Sequence, residues 1–197
     1  MPALSTLTAA LQQQASQHVL GVHAYRGQPT AAIKREGLRA VAAFLKTDPA
    51  MSFDFLMDLT CVDYLKFGAS LSSAPTLATP SPLPYYREPK PVPETWQRPV
   101  SNDEYRFDVV YHFFSSRHAH RLRLTVPLTL ADPAVDSLTG LWESANWFER
   151  EVWDMFGIRF TGHPNLRRIL MYEEFQGHPL RKDYPVRKRQ PLIGPMN

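Results

Sequence analysis

Leu7, Leu11 and Ala15 recur at helical spacing behind a Ser/Thr start, so residues 6–17 are predicted to form an amphipathic helix. Val19 to Tyr25 reads as a strand, Arg26-Gly27-Gln28-Pro29 as a turn, and a second strand is expected after it. Leu38, Val41, Ala42 and Leu45 then mark a second amphipathic helix that stops near Asp48-Pro49. Beyond it Phe53, Phe55, Met57, Leu59 and Cys61 alternate with Asp54, Asp58 and Thr60, the period-2 pattern of a half-buried strand.

The pattern breaks over residues 69–104, which hold eight of the chain's eighteen prolines among Ser, Ala and Thr; an extended, poorly packed insertion is expected there. Alternation returns with Tyr105, Phe107, Val109, Tyr111 and Phe113 against Arg106, Asp108 and His112, and again with Leu122, Leu124 and Val126 against Arg121, Arg123 and Thr125. So few residues separate these runs that they should pair antiparallel. The expected class is α+β, a mostly antiparallel sheet packed with helices.

A last helix is predicted from about Gly140 to Phe156, with Thr139 as N-cap and Gly157 as its stop. At 100° per residue, Leu138, Leu141, Trp142, Ala145, Phe148, Val152, Trp153 and Phe156 share one broad arc, with Glu143, Glu151 and Asp154 opposite. Glu149 projects into the middle of the apolar arc. A carboxylate in that place is costly unless paired. It is either a general acid with a raised pKa or one half of an ion pair, and no nucleophile or base accompanies it. The expected partner is therefore an arginine of the following segment, Arg167, Arg168 or Arg181, in a contact that pins that segment to the domain.

At 197 residues and 44% hydrophobic content the chain can bury one sizeable core. It contains no run of about 18 apolar residues, and Met1 to Leu20 lacks the features of a signal or transit peptide, so a cytoplasmic compartment is expected. Cys61 is the sole cysteine, which excludes an internal disulfide and a four-cysteine iron–sulfur site within the chain. The net charge of +3 is asymmetric: residues 1–156 carry 14 Lys+Arg against 16 Asp+Glu, whereas residues 157–197 carry 8 against 3. The expected organisation is an α+β domain over 1–157, interrupted at about 69–104, followed by an extended basic C-terminal arm over 158–197.

That arm contains a near-repeat. Gly162-His163-Pro164-Asn165-Leu166-Arg167-Arg168 is echoed by Gly177-His178-Pro179-Leu180-Arg181-Lys182-Asp183-Tyr184-Pro185. Each copy turns at Gly-His-Pro and then presents paired cations without a nucleophile. Proline fixes φ and biases its predecessor toward extended geometry, so the segment should run extended across a carbonyl-rich or acidic surface. A metal centre would have to come from His163, His178, Glu173, Glu174 and Asp183, or from His118 and His120, but none of the recognised ligand spacings is present. The histidines are expected instead to bond backbone groups at their turns or to sit in a hairpin loop. Arg187-Lys188-Arg189 and the other cation pairs would allow a basic nucleic-acid-binding module, but Glu173, Glu174 and Asp183 interrupt the charge and no nucleic-acid signature appears.

Glu149-Arg150-Glu151-Val152-Trp153-Asp154-Met155-Phe156-Gly157-Ile158, followed by both Gly-His-Pro segments, strongly resembles the family of the C-type subunit of proton-pumping NADH-quinone oxidoreductase (respiratory complex I), the 30 kDa subunit of mitochondria. Asp58 to Tyr64, Phe107 to Phe113 and Leu141 to Trp147 fit the same family, so the resemblance spans most of the chain. It implies a non-catalytic subunit of the hydrophilic arm. Flavin, iron–sulfur clusters, NADH and quinone would be held by other subunits, with the D-type subunit and the neighbouring iron–sulfur subunits as partners. No nucleic acid is implied, and membrane association would be indirect, on the cytoplasmic side of the bacterial inner membrane. The family-motif residues Glu149, Arg150, Glu151 and Asp154, with Gly162, His163, Pro164, Arg167 and Arg168 and with Gly177, His178, Pro179, Arg181, Lys182, Asp183 and Tyr184, would form the partner interface, and no catalytic, cofactor or metal residue is implied. Membrane-bound hydrogenases and deazaflavin-dependent dehydrogenases use similar domains and are the alternative assemblies. The insertion is longer than the family pattern implies, and the chain is not expected to be fused to the D-type subunit.

Overall fold

The computed structural model describes residues 4–25, 27–65, 98–185, 187 and 190. Among these, the chain forms α1 (Leu4–Ala15), β1 (Val19–Tyr25), β2 (Gln28–Ile33), a 3-10 turn (Arg35–Gly37), α2 (Leu38–Thr47), β3 (Phe55–Asp63), β4 (Phe107–Ser115), β5 (His120–Leu128), β6 (Ala134–Asp136), α3 (Ala145–Phe156) and β7 (Arg159–Thr161). The first five strands build one sheet in the order β1-β2-β5-β4-β3, antiparallel except where β2 lies parallel to β5. β6 and β7 form a small parallel pair beside it. The class is α+β, as the alternation and helical periodicities imply.

The core lies between this sheet and the helices. Leu38, Val41, Ala42 and Leu45 of α2 are buried together, as the 3.6 periodicity requires, against Phe107, Tyr111 and Phe113 of β4 and Leu122 and Leu124 of β5. Each fully buried aliphatic or aromatic side chain contributes roughly 1.5–3 kcal/mol. Cys61 is buried in this core and burial pushes its thiol well up, so it is an inert packing residue.

Two local departures bear on the site. The expected alternation of β3 slips at its start, because a register shift between Leu56 and Asp58 turns Leu56 inward and leaves Phe55 52% exposed, while Leu59 and Cys61 face the core as expected. Asp63, in phase with Leu59 and Cys61, faces the interior. The last helix begins at Ala145 and not near Gly140: Leu138 to Trp142 form a separate turn, with the Leu141 and Trp142 N–H groups donating to the Leu138 carbonyl at 2.9 Å each. The N-cap is Ser144, and Thr139 bonds Ser137 instead. Gly157 is the stop, in the left-handed region at φ 75°.

Most of the 69–104 insertion lies outside the described residues. At its end Arg98 is half-buried, ion-paired with Asp108 and donating to the Asn102 side chain and the Tyr105 carbonyl at 2.7 Å each. His118 and His120 flank the β4–β5 hairpin and donate from Nε2 to the Pro49 and Met51 carbonyls, both at 2.9 Å. They hold the α2–β3 connection.

Candidate partner-docking site

After α3 the chain reverses through β7, buries Ile158 and Phe160, and then runs without helix or strand from Gly162 to Pro185. This part lies along α3 as a strap. The near-repeat is the means of attachment. His163 Nε2 donates to the Asn146 carbonyl (3.1 Å) at the start of α3, and His178 Nδ1 donates to the Asp154 carbonyl (3.0 Å) near its end. Gly162 and Gly177 precede them at φ 83° and 97°, backbone that only glycine adopts readily. His163 Nδ1 also accepts the Asn165 N–H at 2.9 Å, rounding the Pro164 turn.

Asp154 is the centre of the attachment. It is fully buried; its Oδ2 accepts the N–H groups of Ile169 (3.1 Å), Leu170 (2.9 Å) and Met171 (2.9 Å), while Oδ1 pairs with Arg168. Burial alone would raise its pKa, but the three amides and the guanidinium outweigh that and hold the carboxyl below the usual range. Arg168 continues the network, donating to the carbonyls of Phe175 (3.0 Å) and Gly177 (3.1 Å) while lying between the Trp153 and Phe175 rings. Arg150, also buried, donates to the Arg167 carbonyl at 3.1 Å.

The second copy closes against the sheet. Arg181 donates from Nε to the Phe156 carbonyl at 2.5 Å and faces the Phe107 ring, and the Leu180 N–H donates to the Met155 carbonyl at 3.1 Å. Arg106 forks both ways, to Asp63 at 2.9 and 2.7 Å and to Asp183 at 2.9 and 2.8 Å. Asp63 also accepts the Lys182 N–H at 2.8 Å. For Asp63 burial pushes upward, yet Arg106 and the amides leave its pKa lowered; Asp183 is held down chiefly by Arg106. Tyr184 stacks on Phe175 with centroids 6.0 Å apart, and Pro179 is half-buried.

The expected Glu149–arginine pair does not form. Glu149 is fully buried, but its oxygens accept the Ser137 hydroxyl (2.6 Å) and the Leu138 N–H (2.7 Å), donors from the segment leading into α3. Arg168 and Arg181 are engaged elsewhere, and Arg167 is exposed. With no cation beside it, burial pushes the Glu149 pKa up to about 7, partly offset by its two donors. Glu151 and Pro164 are exposed. In each cation pair one member turns inward and the other outward: Arg168 and Arg181 anchor, whereas Arg167 and Lys182 belong to exposed residues.

Sequence reasoning missed Asp154 as the anchor because it lies opposite the apolar arc of α3. It also missed the Asp63–Arg106–Asp183 cluster. Asp63 carried a usable signal: it shares parity with Leu59 and Cys61, so a charge there demands a partner.

Among the described residues no three His, Cys, Asp or Glu groups converge as a metal site, and no helix is long and apolar enough to cross a membrane. The α+β domain carries the strap along α3, and comparison with known proteins gives its family. The family model described as respiratory-chain NADH dehydrogenase, 30 Kd subunit, matches residues 31–190. The chain belongs to this family and serves as a subunit of NADH-quinone oxidoreductase, respiratory complex I.

Among its relatives, the C-type subunit of NADH-quinone oxidoreductase from Citrifermentans bemidjiense is 38% identical over 93% of this chain and 92% of that protein. The corresponding subunit from Roseiflexus castenholzii is 40% identical over 92% and 83%. A solved trypsin-resistant fragment (1–134) of Nqo5 aligns with a TM-score of 0.55 and 29% identity, covering 81% of this chain and 98% of the fragment. The fold alone is shared, at a TM-score of 0.62 and 15% identity over 92% of this chain and 85% of the other, with a chain of the membrane-bound sulfane sulfur reductase, an archaeal respiratory membrane complex. The alternative assemblies, hydrogenase and deazaflavin-dependent dehydrogenase, gain no support from the sequence relatives.

Proposed function

We propose that the chain is an architectural, non-catalytic subunit of the hydrophilic arm, with residues 158–197 as its docking segment toward the D-type subunit and the neighbouring iron–sulfur subunits. In this reading flavin, clusters, NADH and quinone are held by other subunits. The chain sits peripherally on the cytoplasmic side of the bacterial inner membrane and supports electron transfer from NADH to quinone coupled to proton translocation.

The observation that carries this reading is the strap. Its inward guanidinium groups and histidines, and the buried acids of α3 and β3 that it covers, are satisfied by backbone and ion-pair partners within the chain, which is the chemistry of holding a surface in shape. The same observation counts against a nucleic-acid module, since Arg168 and Arg181 face inward. The test is to purify the chain alone, record its absorption spectrum and assay it with NADH and a soluble quinone. A colourless, inactive protein that restores NADH-quinone turnover when returned to a complex lacking it is the expected result. Bound flavin or iron together with turnover by the isolated chain would overturn the reading.

A further inference from the structure

A second surface lies beside the first Gly-His-Pro segment of the strap. An open cleft of about 910 Å³ is lined by the loop before α3, the first turn of α3, the first Gly-His-Pro segment and Arg39 of α2. Its charged lining is unbalanced: Arg39, Arg150 and Arg167 against Glu143 alone. Arg39 and Arg167 are exposed and make no ion pair among the described residues. Trp147 stands in the same cleft, 64% exposed, with the Arg150 guanidinium 5.0 Å from its ring centre. An indole left in water beside unneutralised arginines is the composition of an interface centre, where tryptophan and arginine carry most of the binding energy.

We infer that this cleft receives an acidic segment of a neighbouring subunit of the complex, one that brings carboxylates to Arg39 and Arg167 and an apolar side chain onto Trp147. Charge complementarity selects the occupant: a carboxylate accepts the planar guanidinium fork, and an apolar side chain covers the indole face. The cationic edge of Arg150 closes that face from the protein side, and its donation to the Arg167 carbonyl fixes the rim against the strap. The inference rests on the chain being a subunit of the complex, and it assigns a contact separate from the second Gly-His-Pro segment.

The experiment uses the assembled complex in its membrane. A photo-reactive benzophenone amino acid replaces Asn165, which lines the cleft, and in a second preparation replaces Leu180, an exposed residue of the second segment. The expected result is a cross-link from position 165 to an acidic stretch of another subunit. Its yield should fall at least tenfold with Arg39→Glu plus Arg167→Glu, fall likewise with Trp147→Ala, and weaken at high salt, while the cross-link from position 180 persists. All three are changes at exposed positions, and unchanged melting of the isolated variants verifies that the fold is kept. Capture at 180 but not at 165 overturns the cleft assignment. So does a cross-link from 165 to lipid, to RNA or to a non-acidic segment, or one indifferent to charge reversal. Capture at neither position removes the docking reading as well.

Discussion

Removing the Asp154 carboxylate should release the strap. In Asp154→Ala, the N–H groups of Ile169, Leu170 and Met171 lose their acceptor at once and Arg168 loses its counter-charge, while its bonds to the Phe175 and Gly177 carbonyls remain. Each buried amide left without an acceptor costs about 1–3 kcal/mol, and breaking a buried charge cluster by deleting one partner about 3–5 kcal/mol. These figures do not add, because the strap can open and let water satisfy the amides. The loss should therefore appear as local opening: exchange at amides 169–171 accelerates by ~100-fold or more, roughly what 3 kcal/mol gives. Trypsin should gain access at Arg167 and Arg168. Asp154→Asn keeps the shape but turns an amide NH2 toward Arg168 or toward the three N–H donors, so it should open the strap to a lesser degree. Hydrogen exchange read by mass spectrometry on peptides spanning 166–178, with limited trypsin digestion, is the assay. Unchanged exchange and unchanged cleavage in Asp154→Ala would refute the anchoring argument.

Glu149 should act in the opposite sense. Its folded pKa of about 7 lies above its ordinary 4.5, so its contribution to stability is fully present below pH 4.5 and is lost as pH rises to about 7, about 3 kcal/mol in total. Glu149→Gln keeps an acceptor for Leu138 and a donor for Ser137, so the difference in melting temperature between wild type and variant should shift in favour of the variant across that window; a difference independent of pH would sink the assignment. Gly157→Ala should both strain a φ of 75° and place a methyl 2.5 Å from His178 Nε2 and 2.7 Å from Arg181 Nη2. It should displace the second copy while leaving amides 169–171 protected, as the same exchange measurement reads. Arg98→Ala leaves the buried Asp108 without its ion-pair partner and should cost about 3–5 kcal/mol in urea unfolding, whereas the exposed Arg117→Ala should change it by less than about 0.5 kcal/mol.

The elements were legible because each presents one face to the core. α2 and β4–β5 obey the helical and strand periods, and both form where the pattern places them. Legibility stopped where the period is broken without a change of composition. Phe53, Phe55 and Met57 keep a clean alternation through the register shift of β3, so the slip that exposes Phe55 leaves no trace in the residue types. Leu138, Leu141 and Trp142 also stand at helical spacing, since they do form a hydrogen-bonded turn; the interruption at Glu143-Ser144 is what periodicity cannot register. The need for a partner at Glu149 was readable, but its identity was not. Ser137 and Leu138 reach it from upstream, and an oxygen acceptor serves a hydroxyl and an amide as well as a guanidinium. Asp154 was hidden for a different reason. The strap covers part of the polar face of α3, and an aperiodic cover whose contacts are mostly with backbone leaves no pattern in the sequence.

That choice of backbone contacts explains why the near-repeat has the composition it does. Two histidines grip α3 at Asn146 and Asp154, eight residues or roughly 12 Å apart along the axis, and the chain between them is fixed by one carboxylate that gathers three consecutive amides. Attachment at both ends and in the middle leaves little freedom in how the intervening residues face outward. A surface held in this way has already lost its conformational entropy on folding, so binding to other subunits of the complex need not order it again, a saving of about 0.5–1.5 kcal/mol for each side chain already fixed. The inward cations supply the holding, and their neighbours Arg167 and Lys182 are left exposed. In the docking role proposed for this segment, the pairing of cations in each copy would provide one residue to anchor and one to meet a partner.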